Sequence, residues 1–332
     1  MQVVVIGAGS WGTALANVAA SNGHDVKLWA RREEVARGIN EHHRNPEYLV
    51  DAPLHRSIRA CTHMGEALCG ADAVVAVTPS RFVRATARQL ADAGIGPEVP
   101  VVVCTKGVEG ETGLVPVQIY EEAIGNPARL AALSGPNHAE EIVRGVPAGT
   151  VVASSEPRTA RFFQDALGSP AFRVYTSDDV LGVEICAAFK NVIAIAVGVS
   201  YGLCYGDNTA AMLMTRGQAE MSRLVQAAGA NPLTCMGLAG TGDLIATCMS
   251  RHSRNRMFGE ALAQGTSLAD YEAARHMVVE GAQACRTLGT LSARHGIELP
   301  ITDVVRGMVW EGTDAETAVN QLTTRSPKPE FY

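Results

Sequence analysis

Apolar and polar positions follow two different regimes along this chain. In the first half, short runs dominated by β-branched and small apolar residues recur at 3–6, 25–29, 73–77, 99–104, 130–133, 150–154 and 172–175. Most are cut off by glycine, proline or a small polar cluster: the run at 73–77 stops at Thr78-Pro79-Ser80, that at 99–104 at Thr105-Lys106-Gly107, and that at 130–133 at Ser134-Gly135-Pro136-Asn137. Such runs read as strands, and helical patterns between them make βα units. From about Asp178 the texture changes. Residues 183–200, VEICAAFKNVIAIAVGVS, are too long for one strand and predict a buried helix. Helical patterns continue at 208–228, 253–264, 267–275, 281–295, 303–310 and 314–323, with no strand signal of comparable strength. Between the second and third strand runs, residues 40–55 read as a loop excursion whose histidines, His42, His43 and His55, lie at the surface. Residues 326–332 read as a frayed tail.

The first run leads into Gly7, Gly9 and Gly12 in G-x-G-x-x-G spacing, and then into an Ala/Leu-rich helical segment. Gly7 suits a tight turn, Gly9 a close approach of backbone to a pyrophosphate, and Gly12 close packing of helix on strand. The N–H groups and dipole of the new helix would face the phosphates. With a second strand at 25–29, this predicts an α/β protein: a Rossmann-type N-terminal domain at 1–178 with a mainly parallel sheet, followed by an all-helical C-terminal domain at 179–332. The end of the second strand reads the nucleotide. An NAD site carries an acid there, whereas arginine suits a 2′-phosphate. Here Arg31 and Arg32 stand in that place, which favours NADP(H) with NAD(H) possible; the alternative is a solvated, basic start to the helix near Glu33.

Composition narrows the classes. A chain of 332 residues suits two domains, and 47% hydrophobic with 19% charged residues is globular. A net charge of −6 argues against nucleic acid as a partner. The first strand starts at Gln2, leaving no room for a signal peptide, and no apolar run of membrane-spanning length is expected, so the chain reads as cytoplasmic and not membrane-spanning. Eight cysteines, Cys61, Cys69, Cys104, Cys186, Cys204, Cys235, Cys248 and Cys285, contain no C-x-x-C pair and read as buried free thiols, with no metal site expected.

Candidate chemistry sits at strand ends and in the long apolar helix. Ligands of open parallel sheets lie beyond the carboxyl ends of the strands, and Lys106 is the only amine among those turns, either an exposed lysine or a ligand for an anion or carbonyl. Lys190 lies inside the apolar helix, with Asn191 beside it. A buried lysine costs several kcal/mol unless paired, so it forms a structural ion pair or performs proton transfer. The glycine-rich stretch 236–244 has no strand before it and reads as a turn bringing Asp243 to a partner such as Lys190. Further on, Arg251, His252, Ser253, Arg254, Asn255 and Arg256 open a helix with Ser253 as N-cap, which fits a phosphate site and equally a capped surface helix.

Together the segments GAGSWGTALA, TPS, CTKGVE, LSGPNHAEE, AAFKNVIAIA, GLAGTGDL, SRN and VVEG resemble the bacterial NAD(P)-dependent glycerol-3-phosphate dehydrogenases, in family order over essentially the whole chain. The resemblance implies reversible reduction of dihydroxyacetone phosphate to sn-glycerol 3-phosphate for phospholipid synthesis, by a cytoplasmic homodimer. It implies Lys190 as the catalytic proton donor and acceptor. Substrate contacts are implied at Lys106, Gly135, Asn137 and Lys190, and at Asp243, Ser253, Arg254 and Asn255. Cofactor contacts are implied at Ser10, Trp11, Arg31, Arg32 and Lys106, and at Ala139, Arg254, Val278 and Glu280. Asn137 departs from the family's usual Ser or Thr but still offers a donor and an acceptor. Two rival readings remain. A β-hydroxyacid dehydrogenase of the same architecture would act on a carboxylate, and a non-catalytic NADPH-binding redox sensor would need no proton donor.

Overall fold

The computed structural model describes residues 1–251, 253–275, 278–327 and 329–330. His252 of the basic helix start, and Lys328, Phe331 and Tyr332 of the expected frayed tail, lie outside the described residues. The chain forms two compact units, Met1–Glu109 with Leu114–Glu184, and Gly110–Gly113 with Ile185–Tyr332.

Unit 1 is built on an eight-stranded sheet: β1 Gln2–Ile6, β2 Asp25–Trp29, β3 Ile58–Cys61, β4 Ala73–Ala76, β5 Val101–Val103, β6 Leu130–Ser134, β7 Ala148–Ala153 and β8 Phe172–Ser177. Its order is β3-β2-β1-β4-β5-β6-β7-β8. The first six run parallel, β7 pairs antiparallel with β6, and β8 runs with β7. The β1, β4 and β5 side chains are buried on both faces, apart from the half-buried Gln2, which is why those stretches read as continuous apolar runs. The helices of this unit are α1 Ser10–Ser21, α2 Glu33–His42, α3 Met64–Leu68, α4 Val83–Asp92, α5 Pro116–Ile124, α6 Ala139–Ile142 and α7 Pro157–Leu167. Strand order reverses between β1 and β4, the position at which doubly wound sheets open a crevice for ligand.

Among the described residues, unit 2 contains no strand. Its helices are α8 Val180–Gly202, whose first turns belong to unit 1, α9 Asp207–Ala227, α10 Asp243–Met249, α11 Arg254–Ala263, α12 Leu268–Arg275, α13 Glu280–His295, α14 Pro300–Trp310 and α15 Ala315–Thr323. The central element is α8. Small residues let its neighbours come close: a Cβ on Gly217 of α9 would lie 2.6 Å from Ile193, and one on Gly198 would lie 2.9 Å from the Gly259 Cα of α11. The Glu220 carboxylate of α9 is buried and accepts from the Ile301 N–H at 2.7 Å, capping the start of α14.

Four expectations need correction. Residues 40–55 are not simply a surface loop, because α2 extends to His42 and Asn45 is fully buried; a short third strand, Ile58–Cys61, follows, masked in the sequence by its alternating arginine. The stretch 236–244 does bring Asp243 to Lys190, at 2.7 Å, but not as an open turn. It is a wide helical turn, Leu238–Gly242, closed by Gly242 N–H to Gly237 C=O at 3.1 Å and running straight into α10. α8 is 23 residues long and its most apolar 18-residue stretch has mean hydropathy 2.0, enough to span a membrane by length and composition, but 89% of that stretch is buried inside the protein. Finally, Cys69 and Cys204 are exposed rather than buried.

Candidate active site

The glycine turn of unit 1 is shaped by what a side chain would meet. A Cβ on Gly7, which has φ +114°, would run into the Val77 carbonyl oxygen, and one on Gly12 would run into the Gly7 carbonyl oxygen. One on Gly9 would meet nothing within 4 Å. The turn is therefore packed tightly on its inner side and open on the side where a pyrophosphate would come. Gly9 is the N-cap of α1 and carries no side-chain cap, and no acid lies in the first turn, so the opening N–H groups of Ser10, Trp11 and Gly12 and the positive end of the helix suit an anion. These residues fit a dinucleotide. Gly7 N–H donates to Trp29 C=O at 3.1 Å, which puts the end of β2 beside the turn. Beyond it Arg31 is exposed, and Arg32 is the N-cap of α2 with its guanidinium ion-paired to Glu47.

The ends of β4, β5 and β6 form a second group in unit 1. Thr105 Oγ1 donates to Thr78 C=O at 2.6 Å, and the half-buried Lys106 Nζ reaches Gly135 C=O at 3.4 Å. A Cβ on Gly135 would lie 2.9 Å from Thr150 Cα, so only glycine admits β7 this closely. Asn137 Nδ2 donates to Gly149 C=O at 3.1 Å, while its buried Oδ1 has no protein partner; the same holds for the hydroxyls of Ser134 and Thr78. Buried polar atoms left over in this way at strand ends are ones a ligand can satisfy. Ala139 is buried at the start of α6, so the backbone is what it offers.

In unit 2 the apolar helix delivers its lysine to two partners. Lys190 Nζ lies 2.7 Å from Asp243 Oδ1 and 2.6 Å from Thr247 Oγ1, and the Thr247 hydroxyl donates to Asp243 Oδ1 at 3.2 Å. All three residues are buried, at 7%, 2% and 3% exposure. The carboxylate balances the ammonium charge that burial would otherwise make costly. Nearby, burial pushes the Cys248 thiol up to about 12, against the pull of Lys190 and Arg256, so it stays a neutral thiol.

A second polar chain ties three helices together. Asn255 Nδ2 donates to Asn191 Oδ1 at 2.9 Å, and its Oδ1 accepts from the Gly281 N–H at 2.9 Å, joining α11 to α8 and α13. Ser253 caps α11, accepting from Arg256 N–H at 3.3 Å. Arg254, at the exposed first position, donates to Val278 C=O at 3.3 Å, so the SRN and VVEG segments meet, with Glu280 half-buried at the start of α13. Lys190 and Asp243 are thus brought together, as are Arg254 and Val278, and Asn191 with Asn255. The sequence reading had missed Thr247, Asn45 and Glu47. Thr247 sits four residues after Asp243, a helical spacing hidden by the glycines that precede it.

Two family descriptions match the chain. That of the NAD-dependent glycerol-3-phosphate dehydrogenase N-terminus covers residues 2–160, and that of the corresponding C-terminus covers 179–320. The chain belongs to this family. It is 44% identical to a glycerol-3-phosphate dehydrogenase [NAD(P)+] of Corynebacterium urealyticum over 332 residues, 99% of this chain and 100% of that protein. It is 42% identical to one of Chlorobium phaeobacteroides, over 100% of this chain and 99% of that protein. The crystal structure of glycerol-3-phosphate dehydrogenase from Coxiella burnetii superposes with a TM-score of 0.93 at 34% identity, covering 98% of this chain and 99% of that one.

Proposed function

We propose that this member of the family interconverts dihydroxyacetone phosphate and sn-glycerol 3-phosphate with NAD(P)(H), and that Lys190 is its proton donor and acceptor. The observation that carries this reading is the buried Lys190–Asp243–Thr247 cluster. A redox sensor needs no such group, and a family of phosphate-substrate dehydrogenases gives it a use. A nicotinamide dinucleotide held by unit 1 would supply or accept the hydride. Unit 1 holds the dinucleotide through the glycine turn, with Gly7, Gly9, Gly12, Ser10 and Trp11 at the pyrophosphate and Arg31 and Arg32 toward the adenosine ribose. Lys190, fixed by Asp243 and Thr247, gives a proton to the oxygen of the carbonyl as charge develops on it, and takes it back in the oxidative direction. Lys106 and Asn137 are polar contacts for the substrate at the β5 and β6 ends, and the Gly135 backbone lies beside them. Arg254, Ser253 and Asn255 hold the phosphate, where binding energy remote from the reacting carbon orients it. Arg254 also serves the cofactor, as do Ala139, Val278 and Glu280.

The test is the initial rate of NADPH and NADH oxidation with dihydroxyacetone phosphate, unphosphorylated dihydroxyacetone and a panel of 2- and 3-oxo acids. A rate that requires the phosphate supports the reading; turnover of the oxo acids alone would replace it with a hydroxyacid dehydrogenase. The reading includes a cytoplasmic homodimer. Its support is an exposed apolar set on adjoining elements of unit 2, Met212, Leu233, Met236, Ile245 and Met249, of the kind that a second copy covers. Light scattering on the wild type and on Met236→Lys tests it, with a monomeric wild type counting against the dimer.

A further inference from the structure

The geometry points to Glu47 as the residue that sets how strongly a cofactor 2′-phosphate is preferred, through its hold on Arg32. The inference rests on reading the glycine turn of unit 1 as the NAD(P) site. In sites of this architecture, the residue beyond the second strand meets the adenosine ribose: an acid accepts from the 2′-hydroxyl, and an arginine meets a 2′-phosphate. Here the strand ends beside the turn, with Trp29 C=O accepting from Gly7 N–H, and Arg32 follows three residues on. Its guanidinium is ion-paired with the Glu47 carboxylate, and both side chains are partly exposed, at 42% and 31%.

Glu47 does not wander to this position. Asn45, fully buried, donates from Nδ2 to Ala8 C=O at 2.9 Å and to Thr13 Oγ1 at 2.8 Å. The Oδ1 of the same amide accepts from the N–H groups of Glu47 at 3.0 Å and Tyr48 at 3.1 Å. One side chain therefore fastens the glycine turn and α1 to the two residues that carry the acid, and fixes where the carboxylate stands relative to the pyrophosphate end of the site. The sequence places no acid at the end of β2, and the fold brings one in from another segment.

A carboxylate resting on this guanidinium competes with a 2′-phosphate for the same N–H donors and repels its charge. NADPH has to displace it or bind against it, whereas NADH presents a neutral 2′-hydroxyl and meets neither obstacle. Glu47 thus lowers the preference for the phosphorylated cofactor. Arg31, the preceding residue, is exposed and is a second cation beyond the end of β2, which leaves a 2′-phosphate a possible partner while Glu47 holds Arg32.

The experiment measures dissociation constants of the intact chain for NADPH and NADH by nicotinamide fluorescence, and for 2′,5′-ADP and 5′-ADP by calorimetry, at one fixed low salt concentration. The variants are Glu47→Gln, Arg32→Ala and the two combined. Releasing one charge-assisted contact predicts that Glu47→Gln tightens NADPH and 2′,5′-ADP by about tenfold while leaving NADH and 5′-ADP within about twofold. The gain should vanish in the Arg32→Ala background, because Glu47 acts through that guanidinium. An unchanged NADPH-to-NADH ratio in Glu47→Gln, an equal gain for both cofactors, or a gain that survives removal of Arg32 would each overturn the inference. A wild type that binds neither dinucleotide would overturn the reading of the site and this inference with it.

Discussion

Replacing Lys190 by methionine keeps most of the side-chain volume and removes the charge, which isolates what the ammonium does inside α8. At 2.7 Å from Asp243 Oδ1, the pair attraction is about 6 kcal/mol at an effective dielectric of about 20, before the cost of desolvating both groups is subtracted. Removing the lysine leaves a carboxylate at 2% exposure without its ammonium counter-charge, beside the neutral Thr247 hydroxyl. Breaking a buried pair in this way costs about 3–5 kcal/mol, mostly from the stranded charge. Removing both charges, as in Lys190→Met with Asp243→Leu, strands no ion and leaves Thr247 short of partners, for a loss of about 1–3 kcal/mol. The double variant should therefore be more stable than Lys190→Met alone, measured by urea denaturation on both. In rate assays Lys190→Met should lower kcat by about 10²–10⁴ with NADPH affinity near that of the wild type. A Lys190→Met protein as stable as the wild type, or a double variant as unstable as the single, would refute the charge-balance argument. Full activity in Lys190→Met would refute the proton-transfer role.

Gly12→Ala should abolish NADPH binding and lower the melting temperature, because the new Cβ runs into the Gly7 carbonyl, whereas Gly9→Ala should fold normally and bind NADPH at least tenfold more weakly; equal behaviour of the two by calorimetry and thermal melting would sink this distinction. Arg254→Ala should raise the KM for dihydroxyacetone phosphate by about two orders of magnitude, through loss of a charge-assisted phosphate contact, and an unchanged KM in steady-state kinetics would remove it from the phosphate site. Burial pushes the Glu184 carboxyl up to about 8 against an ordinary value of 4.5, although Val117 N–H donates to it at 3.0 Å. With the folded value raised, its contribution is fully present below about pH 4.5 and is lost as pH rises toward 8, by at most about 5 kcal/mol. Glu184→Gln should flatten denaturation stability between pH 5 and 8, and a variant with the wild-type slope would show that Glu184 is ionised throughout.

Much of the fold was legible because burial on both faces leaves an unbroken apolar run, as in Val3–Ile6 and in the valines of β5, and because a helix as apolar as α8 cannot be mistaken for a strand. The third strand was not legible, since Arg59 and Cys61 alternate with the two inward residues and a four-residue run carries little periodicity. The pairing of Lys190 with Asp243 could be anticipated from the cost of a lone buried lysine. Thr247 could not, because glycines at 237, 240 and 242 argue against the helical turn that aligns it. Nothing in the residues 45–48 marks Asn45 as buried. Its amide is accommodated only because the glycine turn and α1 happen to present an acceptor each, which is a property of tertiary placement.

The reversal of β7 and β8 alters where variation can be absorbed. In the six parallel strands the functional edge follows each strand, so length changes before a strand leave that edge alone. In β7 the order is inverted: Gly149 and Thr150, which abut Gly135 and Asn137, stand at its beginning, and Ser154 to Glu156 exit at the far edge. The short connection 143–147 is thereby under the same constraint as the glycine turn, whereas the exit of β7, where buried Ser154 donates to Leu130 C=O and Glu156 caps α7, is held by the needs of the fold and not by those of the chemistry.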